Sequence, residues 1–182
     1  LPEAMDKPVR DIVRSGLQDT EALLRRYEEQ SQLELDRDGM RELEKLHARI
    51  DAHDGWHIEQ RVDETISDLN LPADKKMNEL SGVWRRRVAL AKAIVQKPDL
   101  LLLDEPTAGM SRADTNNTID LMRRIADQGV TMVVIEHDMH VVFSLAEKIS
   151  VLAQGKVIAE DIPERIKGDS RVQEAYLGGA HL

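Results

Sequence analysis

Two acidic residues and one histidine directly follow apolar segments of the chain and could do chemistry together. Asp104 and Glu105 come after a run of four leucines, and His137 stands just past a second apolar segment, residues 130–135. Mg²⁺ takes one or two carboxylates together with phosphate oxygens, so one of the acids could hold a hydrated magnesium ion. The other could orient or deprotonate a water molecule, and His137 could hydrogen-bond a phosphate during its transfer.

The elements around these three residues alternate between strand and helix. The apolar runs 99–103 and 130–135 predict strands buried on both faces, with a helix over 111–128 between them. This order predicts a parallel sheet covered by helices, and ligands of such sheets bind at the carboxyl ends of the strands. Because adjacent residues of an extended chain point to opposite sides, the two acids are expected to have different tasks. Later elements are predicted as a helix over 138–146, strands over 149–152 and 156–159, and helices over 161–167 and 170–177.

The first part of the chain has the pattern of amphipathic helices. Apolar residues recur at helical spacing, with breaks at residues 36–39 and 70–72. The predicted arrangement begins with an antiparallel helical hairpin that has a solvated acidic face. Helices are predicted over residues 8–17, 19–35, 40–53, 56–69 and 81–96, the last of them capped by Ser81.

Charge is distributed unevenly along the chain. Residues 1–79 hold 12 basic and 20 acidic residues, whereas residues 80–182 hold 13 and 14. The negative charge of the first part repels the phosphate backbone of nucleic acids, so no broad nucleic-acid binding is expected.

Several classes of protein are excluded by what the sequence does not contain. The 182 residues include no cysteine, which excludes disulfides, thiol catalysis and cysteine-built zinc sites. No run reaches the roughly 18 apolar residues of a membrane span, and no signal-peptide pattern opens the chain, so we expect a cytoplasmic domain. His53 and His57 are four apart, but Gly55 between them breaks the helical geometry, so we expect surface or packing histidines. Because the first residue is leucine, we expect a piece of a longer chain.

Three segments, in the right order, resemble the motifs of ABC-type ATPases. LLLLDEPT at residues 100–107 resembles the Walker B segment, and IEHD at 135–138 resembles the switch-histidine loop. LSGVW at 80–84 resembles the signature motif, and the RRRVALAKAI run that follows resembles the helix after it. The resemblance implies an α/β fold: an incomplete P-loop NTPase, ABC ATPase-like, with a parallel sheet and a helical subdomain. Residues 1–97 would form that subdomain, and residues 98–182 the C-terminal part of the RecA-like ATPase core.

The resemblance also implies a role for each matched residue, with ATP and Mg²⁺ as cofactors. Asp104 would support magnesium, Glu105 would polarise the attacking water as the catalytic glutamate, and His137 would contact the γ-phosphate. Ser81 and Gly82 would contact ATP bound to an opposite cassette, at a helix amino terminus whose free N–H groups favour phosphate.

The sequence departs from the family pattern at several points. No G-x-x-x-x-G-K-[ST] occurs in it, although the amides and lysine of that Walker A loop hold the ATP phosphates. The Q-loop and the adenine-stacking aromatic are missing as well. Val83 replaces a second glycine of the signature and disfavours positive φ, and Ser111 replaces the usual D-loop aspartate. We therefore expect this polypeptide alone not to turn over ATP at a rate typical of the family.

The resemblance changes along the chain. Residues 1–107 resemble the first cassette of ABC-F proteins, whereas residues 108–182 resemble the ATP-binding subunits of branched-chain amino-acid transporters. After Thr107 the ABC-F pattern would continue Asn-His-Leu-Asp, but this chain has AGMS at 108–111. From this change we infer a recombined or designed chimera in preference to a natural divergent member.

Three functions follow from these observations. The first is a partial ABC ATPase that becomes competent when its missing part is supplied. The second is a non-enzymatic folded scaffold, whose uncovered strand edge would favour a homodimer. The third is a partner-binding module, for a ribosome if the ABC-F likeness governs or for a membrane permease if the transporter likeness does. A second ABC cassette is the other expected partner.

Overall fold

A computed structural model of the chain describes residues 5–177 and divides the protein into two compact units. The units are Leu1–Leu101 and Leu102–Leu182. The first is helical, and the second combines strands with helices. The α/β class expected from the sequence is thereby confirmed.

The first unit consists of five α-helices and three short 3-10 turns in its described part. Their bounds are α1 Val9–Arg14, α2 Gln18–Ser31, α3 Arg37–Ala52, α4 Ile58–Asp68 and α5 Gly82–Ile94, with 3-10 turns at Ser15–Leu17, Gly55–His57 and Met77–Glu79.

Two helix boundaries differ from the sequence prediction. Helix α3 begins three residues earlier than predicted, because the Asp36 side chain accepts a hydrogen bond from the Gly39 amide and caps the helix. Helix α2 ends at Ser31 and not near residue 35. Leu33, which extended the predicted pattern, is 64% exposed and does not belong to the core.

Helices α2 and α3 pack against each other as an antiparallel pair. Their shared core consists of Leu23, Leu46 and Ile50. The Tyr27 ring lies edge-on to the His47 ring at 5.8 Å, and the Thr20 side chain meets Gly55 beyond the end of α3. Contacts thus move down one helix as they move up the other, as the predicted hairpin requires.

Helix α1 packs against α4 and α5, and glycine permits the closest approach. A Cβ atom added to Gly16, in the turn after α1, would lie 2.3 Å from the Lys92 carbonyl oxygen and 2.8 Å from a Val95 methyl. The first of these neighbours is helix backbone, which cannot move aside as a side chain can. Position 16 therefore sets how closely the amino-terminal segment approaches α5.

Substitution of Gly16 by alanine is expected to destabilise the protein. The clash with α5 should lower the free energy of unfolding by about 1–3 kcal/mol, the usual range for overpacking. Urea unfolding measures the difference. Gly82→Ala is the matched control, because its added Cβ meets nothing within 4 Å, and an equal loss in both variants would contradict the packing explanation.

The ends of α3 and α5 are joined by a buried arginine and an ion pair. The Arg61 guanidinium is buried and donates to the carbonyl oxygens of His53 and Val95, and burial lowers the pKa of this arginine. Asp54 and Lys97 both have left-handed backbones, with φ of 49° and 52°, and Lys97 Nζ lies 2.8 Å from Asp54 Oδ2. Two strained turns are thus held by one pair of charges.

Protonation of Asp54 is expected to weaken this junction in acid. The hydrogen bond from Lys97, followed by that from His57, lowers the pKa of Asp54 from 3.8 to about 2. Because folding favours the charged carboxylate, its contribution is complete above about pH 4 and is lost as the pH falls towards 2. The side chains are well exposed, so solvent screening limits the contribution to less than about 1 kcal/mol.

Urea unfolding at intervals between pH 2 and pH 5 tests this prediction. Asp54→Asn should have a shallower pH dependence than the wild type, since it cannot titrate. Lys97→Gln keeps the carboxylate and removes its main partner, so it should lose part of the same dependence. Identical curves for all three proteins would show that the ion pair does not contribute.

The strands form two separate sheets. Strands β1 (Leu100–Asp104) and β2 (Thr131–Ile135) are neighbours in one sheet, and they are parallel, since the backbone just past β1 bonds the last residue of β2. Strands β3 (Ile149–Ala153) and β4 (Lys156–Asp161) form an antiparallel hairpin around residues 154–155. The remaining helices are α6 Arg112–Asp127, α7 Met139–Leu145, α8 Pro163–Gly168 and α9 Ser170–Leu177.

The prediction that β1 and β2 are buried on both faces is wrong for this chain. One face of the sheet packs on α6 and α7, where Leu103 and Met132 contact a buried cluster of Ile119, Met122 and Val141. The opposite face is open: Leu102 is 63% exposed, Val133 47% and Ile135 53%. The physical reason is that within residues 5–177 this sheet has two strands with helices packed on one side.

None of the helices in the described part of the chain is long and apolar enough to cross a membrane.

Candidate functional site

The two acids at the end of β1 differ in backbone conformation. Asp104 is the last residue of the strand and is exposed. Glu105 leaves the strand in the left-handed region, with φ of 45°. The expectation that these acids alternate as in an extended chain is therefore wrong, because Glu105 is not extended. Residues other than glycine rarely adopt this backbone conformation, so the surrounding contacts must hold Glu105 in it.

The end of β2 and the loop that follows Glu105 provide those contacts. The Glu105 amide donates to the Ile135 carbonyl oxygen at 2.9 Å, and the Glu105 carbonyl accepts from the Ala108 amide at 3.1 Å. The backbone of the glutamate is thus fixed on both sides.

The structure brings Glu105 and His137 together. His137 follows β2 by two residues, and its Nδ1 lies 3.3 Å from Glu105 Oε1. The two side chains are 74% and 53% exposed, so a molecule arriving from solvent can reach both. This pair lies at the carboxyl ends of two parallel strands, where ligands of such sheets bind.

Sequence reasoning missed Glu136 as a functional candidate. Its Oε1 accepts hydrogen bonds from both the amide and the hydroxyl of Thr107, which is buried. The signal was available, since Glu136 stands beside the histidine already singled out, but sequence spacing alone does not show which donor a carboxylate meets.

The donor set at the strand ends fits a hydrated magnesium ion. Mg²⁺ binds through one or two carboxylates and completes its shell with water and phosphate oxygens, and the exposed Asp104 carboxylate can supply one such ligand. Among the described residues, no group of three or more His, Asp or Glu side chains could enclose a metal ion.

His53 Nδ1 contacts the Arg49 carbonyl, and His57 Nδ1 contacts Asp54.

Ser81 and Gly82 lie in the other unit, at the start of α5. Ser81 is the N-cap of this helix, and its hydroxyl accepts from the Trp84 amide at 3.5 Å. Gly82 is the first helical residue, with open space where a Cβ would stand. Val83 lies inside the right-handed helix α5 and does not have a positive φ. The expected conflict between valine and a positive φ at this position therefore does not arise.

One arginine joins this helix start to the 3-10 turn before it, and a second packs on an aromatic ring within the helix itself. Arg85 donates to the carbonyl oxygens of Met77 and Asn78, and the Arg87 guanidinium lies 4.9 Å from the Trp84 ring centre.

In the second unit, Ser111 caps α6 by accepting from the Asp114 amide.

The fold of the chain is that of an ATP-binding cassette, a P-loop NTPase. Residues 7–108 match the family model described as ABC transporter, and residues 156–182 match the one described as branched-chain amino acid ATP-binding cassette transporter. The first match covers more than half of the chain. The protein therefore belongs to the ABC transporter family.

Similar proteins come from both groups that the sequence resembles. The chain is 34% identical over 155 residues to the ABC-F protein EttA, the energy-dependent translational throttle protein of Mycobacterium tuberculosis H37Rv, covering 83% of this chain and 27% of EttA. It is 34% identical over 118 residues to the high-affinity branched-chain amino acid transport ATP-binding protein BraF of Pseudomonas aeruginosa, covering 63% of this chain and 46% of BraF.

A solved structure shares the fold. The ADP conformation of an ATP-binding cassette of an ABC transporter superposes with a TM-score of 0.59 at 28% identity, covering 65% of this chain and 50% of that one. The chain thus spans between about a quarter and a half of the length of these relatives.

Proposed function

We propose that this chain supplies the hydrolytic part of an ABC ATPase domain. In this proposal β1 and Asp104 form the Walker B segment, Glu105 is the catalytic glutamate, and His137 belongs to the H-loop. The observation that carries it is the 3.3 Å approach of Glu105 Oε1 to His137 Nδ1 at adjacent strand ends, in a chain of this family.

Each residue would contribute a different interaction to hydrolysis. When bound, ATP would supply the phosphoryl group, and Mg²⁺ would supply positive charge that neutralises the phosphate oxygens. The Asp104 carboxylate would hold the hydrated magnesium, and the Glu105 carboxylate would orient a water molecule and accept its proton. The His137 imidazole, which lies beside that carboxylate, would hydrogen-bond the γ-phosphate. Ser81 and Gly82 would act in trans, on nucleotide bound to a second cassette.

Phosphate binding is the part that these 182 residues do not supply. The sequence has no G-x-x-x-x-G-K-[ST], and the amides of such a loop hold the phosphates of ATP. Positioning of phosphate is most of the catalysis of phosphoryl transfer. We therefore propose that hydrolysis requires a loop from another segment or chain, and that these residues alone are inactive.

The two groups of relatives point to two working environments. EttA is named for energy-dependent translational throttling, and BraF for branched-chain amino acid transport. By these likenesses the partners would be a second cassette and either a ribosome or a membrane permease, in the cytoplasm. We also propose that the chain is a chimera of the two groups, joined after Thr107.

A second candidate function is a non-enzymatic scaffold that self-associates. The exposed apolar face of the sheet, with Leu102, Val133 and Ile135, favours it, because burying such residues against another copy would stabilise a dimer. Mass measurement by light scattering at increasing concentration distinguishes this scaffold from a monomer.

Phosphate release from ATP tests the first proposal. The chain alone should show no turnover above a protein-free blank. The same chain, fused after the loop-bearing amino-terminal part of a relative's cassette, should hydrolyse ATP, and Glu105→Gln should lower its kcat about 100-fold or more, since a general base is lost.

Glu147→Gln, at an exposed position of the same unit, is the matched control and should keep the full rate. Turnover by the chain alone that disappears in Glu105→Gln would contradict the proposed need for a loop. A folded, nucleotide-binding fusion whose turnover survives Glu105→Gln would contradict the role of the glutamate.

A further inference from the structure

We propose that Glu136 is a positioning residue that keeps Glu105 beside His137 by holding the loop after β1. Its consequence for hydrolysis rests on the function proposed above. The contact itself does not depend on that function, and it can be tested without ATP.

Glu136 contacts Thr107 through two hydrogen bonds. One carboxylate oxygen of Glu136 accepts from the Thr107 amide at 3.0 Å and also from the Thr107 hydroxyl. Thr107 is 6% exposed, so both bonds are shielded from water at that end. Hydrogen bonds to a charged acceptor are stronger than neutral ones, and two of them from one residue fix its position and orientation.

Within residues 5–177, the contact leaves one oxygen of the Glu136 carboxylate unpaired. That oxygen, Oε2, is buried and has no hydrogen-bond partner among the residues that the structure describes. A buried carboxylate oxygen without a partner is unfavourable, so stability alone is a poor reason for glutamate here. Proteins leave buried polar atoms without hydrogen-bond partners mainly at functional sites.

The contact between Glu136 and Thr107 adjoins a strained segment of backbone. Glu105 has φ of 45°, and its amide is held by the Ile135 carbonyl. Two residues later, Thr107 is held by Glu136. The loop after β1 is therefore fixed at two points, Glu105 and Thr107, to adjacent residues at the end of β2, with Pro106 between the two points.

Loss of the second point would free the strained glutamate to relax. Without Glu136, only the backbone bonds to Ile135 and from Ala108 would resist a return of Glu105 to a common backbone region, which would turn its carboxylate away from His137. Glu136 thus acts through Thr107 and Glu105 and is not itself a group that touches the reacting atoms.

Nuclear magnetic resonance of the 182-residue chain tests the contact directly. Wild-type protein should show a nuclear Overhauser effect between the Glu105 γ-protons and the His137 ring, together with slow hydrogen exchange of the Thr107 amide. Glu136→Ala should lose both. Glu136→Gln keeps an acceptor oxygen and should retain both, which separates loss of the contact from loss of the fold.

Glu160→Ala is the matched control, because that carboxylate also accepts from a hydroxyl, that of Ser150 at 2.7 Å, in the same unit. It should leave both signals of the loop unchanged. A Glu105–His137 contact that persists in a folded Glu136→Ala protein would overturn the inference.

Kinetics of the ATP-hydrolysing fusion give a readout that a purely structural role would not move. Glu136→Ala should lower kcat by about tenfold to 100-fold with KM unchanged, because misplacement of a catalytic group affects the chemical step. Glu136→Gln should restore most of the rate, and unchanged kcat in Glu136→Ala would overturn the positioning role. If the contact behaves as expected but the wild-type fusion does not hydrolyse ATP, the proposed function fails while the contact stands.

Discussion

The candidate site depends on one constraint, the attachment of the loop after β1 to the end of β2. Parallel strands bring their carboxyl ends to the same edge, but closeness of strands does not by itself place two side chains 3.3 Å apart. A glutamate in the left-handed region does so here, because that conformation turns the chain out of the pleat immediately after Asp104. The apolar core beneath the sheet holds the strands, and the bonds from β2 hold the turn.

This arrangement separates the roles of the core and the loop. Leu103 and Met132, packed on α6 and α7, determine where the strands lie. The backbone hydrogen bond between Glu105 and Ile135 determines the position of the glutamate. This part of the chain is largely open to solvent. Such a loop can be strained because the helices and strands below it supply the stability.

Sequence reasoning predicted much of this fold because its signals are local. The run of leucines identified β1, and Ser81 identified the start of α5. Reasoning failed where the outcome depends on groups distant in sequence. The exposure of Leu102 depends on what covers the sheet, and the bond between Glu136 and Thr107 joins residues 29 apart. The positive φ of Glu105 has no sequence signature, since glutamate is not a residue that favours it.

The open face of the β1–β2 sheet also governs how copies of the chain behave in solution. Apolar side chains on that face attract one another, and at neutral pH the net charge of −9 opposes this by electrostatic repulsion. The repulsion vanishes near the isoelectric point, about pH 5.2. Colloidal stability is therefore expected to be lowest near that pH, where the net charge is smallest.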